Sequence, residues 1–137
     1  MMKKGLLTSA FLLALSVFAA EREVYRDSSG RRQATSVTHG AQTTYRDAQG
    51  RVSYTARQQG NVTRYYDASG RIVGRAAENG RSTTYRDATG RITGTATVHD
   101  NRTVYRDASG RKTGSASSNG TITIYRDSQG RIIGTKK

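Results

Sequence analysis

Apolar residues follow two unlike patterns along the chain. Residues 6–20 form a run broken only by Thr8, Ser9 and Ser16, behind Lys3 and Lys4. From Glu21 onward apolar residues come singly or in pairs, alternating with Thr, Arg and Ser. Such alternation between turn residues predicts half-buried strands, and nothing in it has the 3.6-residue period of a helix. The first segment is too short to span a bilayer comfortably and has the basic start and apolar centre of a secretory signal peptide. Val17-Phe18-Ala19 places cleavage after Ala19, so the chain divides into a signal-peptide helix over 1–19 and a repeat array over 20–137. Export to the periplasm or the cell exterior follows. No cysteine follows the leader to carry a lipid anchor, and no later segment is apolar enough to be a membrane span.

The array repeats every 20 residues without a slip. Tyr25, Tyr45, Tyr65, Tyr85, Tyr105 and Tyr125 are followed two residues later by Asp27, Asp47, Asp67, Asp87, Asp107 and Asp127. Gly30, Gly50, Gly70, Gly90, Gly110 and Gly130 come next, each followed by Arg. The most regular copy reads TTYRDATGRITGTA at residues 83–96. Self-similarity at fixed period makes this one array of six units rather than several domains.

Asp-x-x-Gly is turn chemistry, with the Asp carboxylate capping a type I turn and Gly taking the left-handed position. A second turn signal falls ten residues on, as in Asn79-Gly80 and Asn119-Gly120, and Asn-Gly favours a two-residue hairpin loop. Each unit is therefore two strands, and the array an all-β antiparallel meander of about twelve strands, each six or seven residues long. A solenoid of stacked 20-residue rungs would place six Arg and six Asp ladders at about 4.8 Å, where like charges repel.

Pairing around an Asn79-Gly80 loop puts Glu78 opposite Arg81, Ala76 opposite Thr83 and Gly74 opposite Tyr85. A four-residue loop over 87–90 then puts Arg86 opposite Arg91 and Tyr85 opposite Ile92. This register segregates Ile72, Gly74, Ala76, Tyr85 and Ile92 from Thr84, Arg86, Arg91 and Thr93, and lays each Tyr over a glycine. A three-residue loop with a bulge would instead pair Asp87 with Arg91 and separate Tyr85 from Ile92. The Tyr/Ile face needs cover by curling, closure or self-association.

Tyr-x-Asp-x-x-Gly-Arg, as in YRDAQGR at 45–51 and YYDASGR at 65–71, resembles the YD repeats of bacterial RHS proteins and teneurins. The hairpin-per-repeat layout is similar to MORN repeats. The resemblance covers all six units and implies an exported β-repeat. RHS-type proteins use such repeats as a shell around a toxin or in cell-surface contact. Here Arg stands before the Asp except at Tyr66, the repeats are few and no non-repetitive C-terminal segment follows, so encapsulation does not carry over.

Composition narrows the chemistry. All Leu, Phe and Met precede Glu21, and only 13 Ile and Val follow it. The chain has no Cys, Pro or Trp, which excludes a disulfide scaffold and a cysteine-based zinc or redox site. The six Tyr are read as the apolar face and the six Asp as turn caps. His39 and His99 lie 60 residues apart at equivalent turn positions, and no nucleophile triad, phosphate loop or metal spacing occurs. We therefore expect no enzyme activity and no cofactor. From Glu21 on there are 18 Arg and 3 Lys against 10 acidic residues, a net charge of +11. Arginine makes planar bidentate contacts with phosphate, sulfate and carboxylate. Arg46, Arg51, Arg86, Arg91, Arg106, Arg111, Arg126 and Arg131 are the candidate anion-binding face. Its partner would be a polyanion, namely lipopolysaccharide, an acidic polysaccharide or nucleic acid, whereas the bland role of such a face is to keep a repetitive sheet soluble. The alternative function is a self-assembling fibre or surface-layer subunit, similar in layout to curli-type proteins but without their Asn/Gln ladders.

Overall fold

The computed structural model describes residues 21–137; the expected leader lies outside them. Twelve strands follow in order: β1 (Arg22–Asp27), β2 (Arg32–His39), β3 (Gln42–Asp47), β4 (Val52–Gln59), β5 (Val62–Asp67), β6 (Ile72–Asn79), β7 (Ser82–Asp87), β8 (Ile92–His99), β9 (Arg102–Asp107), β10 (Lys112–Ser118), β11 (Thr123–Asp127) and β12 (Ile132–Lys136). Every neighbour pair is antiparallel, and β1 pairs with β12, so the meander closes into a barrel. Closure, one of the three possible covers for the tyrosine face, is the one adopted.

Both turns are set locally. In the first unit Asp27 Oδ1 accepts from the backbone N–H groups of Ser29 and Arg31, each at 2.9 Å, and from the Ser29 hydroxyl at 2.7 Å. Gly30 N–H donates to the Asp27 carbonyl and Asp27 N–H to the Arg31 carbonyl. Gly30 has φ +84°, the left-handed value that a side chain disfavours. The other five Asp turns repeat the backbone bonds, and Ser69, Thr89 and Ser109 repeat the hydroxyl bond.

Two register details differ from expectation. The tight loop is Gly80-Arg81, closed by Asn79 opposite Ser82, rather than Asn79-Gly80. Gly80 alone has positive φ, +61°, as a type II′ turn requires of its first central residue. Ala76 rather than Gly74 therefore faces Tyr85 across this hairpin. At the other turn the four-residue loop is replaced by a three-residue one: Asp87 N–H donates to Arg91 O at 2.9 Å, and Arg86 faces Ile92. A three-residue loop alone would swap the faces, but β8 holds one extra residue, Thr93, between Ile92 and Gly94. Tyr85 thus faces Gly94. The bulge restores the alternation, keeping tyrosine inside and sending the isoleucine outside. Ile72, Ile92 and Ile132 are 44–50% exposed, so the combined Tyr/Ile face does not form.

The interior alternates large and small side chains by strand. Tyr65 lies between Ala56 and Gly74, Tyr85 between Ala76 and Gly94, and Tyr125 between Ala116 and Gly134. In the last four units that side holds glycine, and a Cβ on Gly94 would sit 2.5 Å from the Arg106 carbonyl oxygen; in the first two units Ala34 and Tyr54 take the position. Closure keeps the same rule. Tyr25 faces Lys136 just as Tyr45 faces Ser36, so β1 stands where a seventh unit would begin. Five of the six repeat tyrosines are at most 7% exposed, while Tyr105 is partly buried and packed against them. Burial pushes all six hydroxyls well above the usual tyrosine range.

Candidate anion-binding surface

The arginines before each Asp point outward, and most of them have a local task. Arg46, Arg86, Arg106 and Arg126 each donate Nη1 to the carbonyl four residues ahead, on Gly50, Gly90, Gly110 and Gly130, at 2.9–3.1 Å. Arg26 does the same to Gly30. One of five guanidinium N–H groups is engaged this way, leaving the charge uncompensated. In the third unit Tyr66 replaces that arginine and the Asp67 turn forms regardless.

The arginines after each Gly behave differently. Arg51 and Arg131 turn back on their own Asp, with Nε to Oδ2 distances of 3.2 and 2.8 Å. Arg91 and Arg111 donate backbone N–H to Asp87 and Asp107. The expected pairing of Arg86 with Arg91 and of Arg106 with Arg111 does not occur, because the three-residue loop puts each second arginine opposite the Asp instead. The six Asp are spent as caps. The hydroxyl of Ser29, Ser69 or Ser109 holds Asp27, Asp67 or Asp107 below the usual carboxylate range, and Thr89 does so for Asp87.

A larger basic feature comes from residues outside the expected set. Arg57 on β4 faces Arg64 on β5, Arg64 faces Arg75 on β6, and Arg75 faces Arg86 on β7. Four arginines thus stand side by side on consecutive strands. Arg57, Arg64 and Arg75 are exposed and Arg86 half-buried. The sequence carries a signal for this: 57 and 64 mirror each other about the Gly60-Asn61 loop, and 75 and 86 about Gly80-Arg81.

The barrel's ends are concave but of different chemistry. A cavity of about 920 Å³ opens among the Asp turns over Tyr65 and Tyr85, and one of about 550 Å³ lies at the opposite end beside Glu23 and Lys136. Tyr105 and Tyr125 line both, so the tyrosine layer is the floor between them. Among the described residues no group of three or more His, Cys, Asp and Glu is placed to hold a metal. No protein-family model matches the chain, and no curated protein matches it. The likeness to YD repeats therefore rests on the Tyr-x-Asp-x-x-Gly motif alone.

Proposed function

We propose that this chain is an exported, non-enzymatic β-barrel that binds anionic polymers or surfaces through its outer arginine and threonine face. The observation that carries this reading is the disposition of charge. The repeat tyrosines face inward and the turn aspartates cap loops, whereas the outward faces of the strands present guanidinium groups that few carboxylates neutralise. Among the described residues the side-chain ion pairs are Arg51–Asp47, Arg131–Asp127 and Lys136–Glu23, against a net charge of +11 from Glu21 on. Strands of five to eight residues are shorter than the 9–11 that a membrane-spanning strand needs, and their outward positions carry Arg and Thr where lipid requires an apolar belt. The reading therefore has the barrel act in water.

Self-assembly through sheet edges is the weaker alternative. It needs free edge strands, and β1 and β12 are paired with each other. The test is retention of the mature chain on immobilised polyanions, with heparin, polygalacturonate and duplex DNA as matrices, across a salt gradient. Binding that rests on charge weakens steeply as salt rises. Passage through all three columns at low salt refutes the proposal.

A further inference from the structure

The row Arg57–Arg64–Arg75–Arg86 breaks the repeat. Its counterpart two strands on reads Ala77, Thr84, Thr95 and Arg106, and the next reads Thr97, Val104, Ser115 and Arg126. The counterpart before it reads Val37, Thr44, Thr55 and Tyr66. Only the last position is a turn arginine elsewhere in the array. The first three become arginine together in this row alone.

Nothing in the fold calls for them. Like charges directly opposite each other on neighbouring strands are destabilising, and the Thr, Val, Ala and Ser of the other rows fit the same barrel. None of the four forms an ion pair. Their contacts are neutral: Arg57 Nε donates to Gln42 Oε1 at 3.3 Å and its guanidinium lies 5.4 Å from the Tyr66 ring centroid. Arg64 Nη1 donates to Gln59 Oε1 at 3.2 Å, and Arg75 makes no side-chain hydrogen bond or ion pair among the described residues. These contacts orient the guanidinium groups while leaving their charge and most of their N–H donors facing solvent.

Directly paired strand positions are about 4.5–5.5 Å apart, so the four Cα positions span about 15 Å around the barrel wall. That is a line of four arginine positions, evenly spaced along the ladder, on a convex surface. We infer that this row is a site for a linear acidic polysaccharide that lies across β4–β7 and sets one carboxylate or sulfate against each guanidinium. Thr55 and Thr84, half-buried on the same outer face two residues from Arg57 and Arg86, supply hydroxyls for sugar hydroxyl groups. Nucleic acid suits the row less well. Single strands are held by aromatic platforms beside the charge, and the one tyrosine bordering the row, Tyr66, already lies under Arg57.

This inference rests on the anion-binding function proposed above and deepens it. The test compares two variants of equal net charge, R57Q/R64Q/R75Q and a turn variant, R31Q/R71Q/R81Q, whose three exposed arginines lie outside both the row and the candidate face, with the parent chain. Affinity is measured by calorimetry against polygalacturonate, heparin and single-stranded and duplex DNA at several salt concentrations. Exposed charge contacts are individually weak, so the loss of three makes the row variant bind the two glycans about 10-fold more weakly. The turn variant stays within about threefold, and the parent prefers glycan to DNA at matched salt. Far-ultraviolet circular dichroism and melting provide a second readout: loss of the repulsive row leaves the barrel as stable as the parent or more so.

Equal weakening by both variants overturns the site while leaving general anion binding intact. So does tighter binding of DNA than of either glycan, or a row variant that melts well below the parent, which would assign the arginines a structural role. A parent chain that binds no polyanion overturns both proposals.

Discussion

Raising the pH probes the buried tyrosine layer. Burial holds the six repeat hydroxyls protonated well above the normal tyrosine range, whereas in the unfolded chain they ionise near pH 10. Their folded pKa values lie above the unfolded ones, so their contribution to stability is complete below pH 10 and is lost as the pH rises beyond it. Each group loses about 1.4 kcal/mol for every pH unit in that window. Six together lose about 8 kcal/mol per unit, comparable to the whole stability of a small domain, about 5–15 kcal/mol. The barrel therefore unfolds between about pH 10.5 and 12 in a steep transition. Arginine stays charged throughout that range, so the loss does not come from discharging the outer face.

The assay follows tyrosinate absorbance in the near ultraviolet and the β-sheet signal in the far ultraviolet on the same samples. The two transitions are expected to coincide. Tyr85→Phe supplies an internal control, because the Tyr85 hydroxyl is buried and has no hydrogen-bond partner among the described residues. Removing one of six ionising groups lowers the pH dependence by about 1.4 kcal/mol per unit. If these six hydroxyls ionise near pH 10 while the sheet signal persists, the layer is open to water and the reasoning fails.

Other perturbations test separate parts of the barrel. Tyr85→Phe at neutral pH raises the melting temperature, since it removes a buried hydroxyl without a partner; unpaired buried groups cost about 1–3 kcal/mol. Acid acts on the turns with the opposite sign to alkali: the Asp carboxyls are held low in the fold, so their stabilisation is present above the normal carboxylate range and fades as pH falls below about 4. Far-ultraviolet circular dichroism should show acid unfolding starting there, and Asp107→Ala should shift the protein toward lower stability at pH 7 while flattening that acid limb. Arg106→Ala removes one exposed hydrogen bond to Gly110 and lowers stability by only about 0.5–1.5 kcal/mol, as the intact turn beside Tyr66 implies; urea melts measure it.

The strands, the places of both turns and the burial of tyrosine were legible because each depends on a few adjacent residues. Asp27 needs only Ser29, Gly30 and Arg31 to close its turn. The bulged three-residue loop that the structure adopts was legible only as the rival of the four-residue loop, which segregating Tyr and Ile from Arg and Thr favoured. Thr93 looks like any strand residue, and the extra position becomes visible only when Tyr85 is matched to Gly94 and Arg86 to Ile92 across the ladder. The same holds for the arginine row, whose members come from three units and meet only after both registers are known. Reading Asn79-Gly80 as the loop itself, rather than Gly80 as its first central residue, moved every partner by two positions. That step alone set Tyr85 opposite Gly74 in place of Ala76. Closure depends on the summed stagger of twelve strands, which no single unit states.

Closure is also the point at which the two functional readings meet, because an open barrel would offer two unpaired edges. The β1–β12 seam has three ladder positions, Tyr25–Lys136, Arg26–Thr135 and Asp27–Gly134, plus Val24 N–H to Lys137 O at 2.7 Å and its reciprocal at 3.1 Å. Lys136 Nζ meets Glu23 Oε1 at 2.8 Å, with both side chains 16% exposed, and Glu23 Oε2 also accepts from the Tyr25 and Ser36 hydroxyls. This is where the array exchanges its repeated Ala or Ser for a charge: Lys136 occupies the position of Ser36, Ala56 and Ala116. Lys136→Gln leaves Glu23 with two neutral donors and costs about 1.5–3 kcal/mol, the scale of a charge-assisted hydrogen bond. The cost falls on the seam, so the expected result is concentration-dependent association through the freed edges, read by light scattering after size exclusion. A Lys136→Gln chain that melts earlier yet stays monomeric at every concentration would show that the backbone ladder closes the barrel unaided, and would remove the route by which self-assembly could compete with binding.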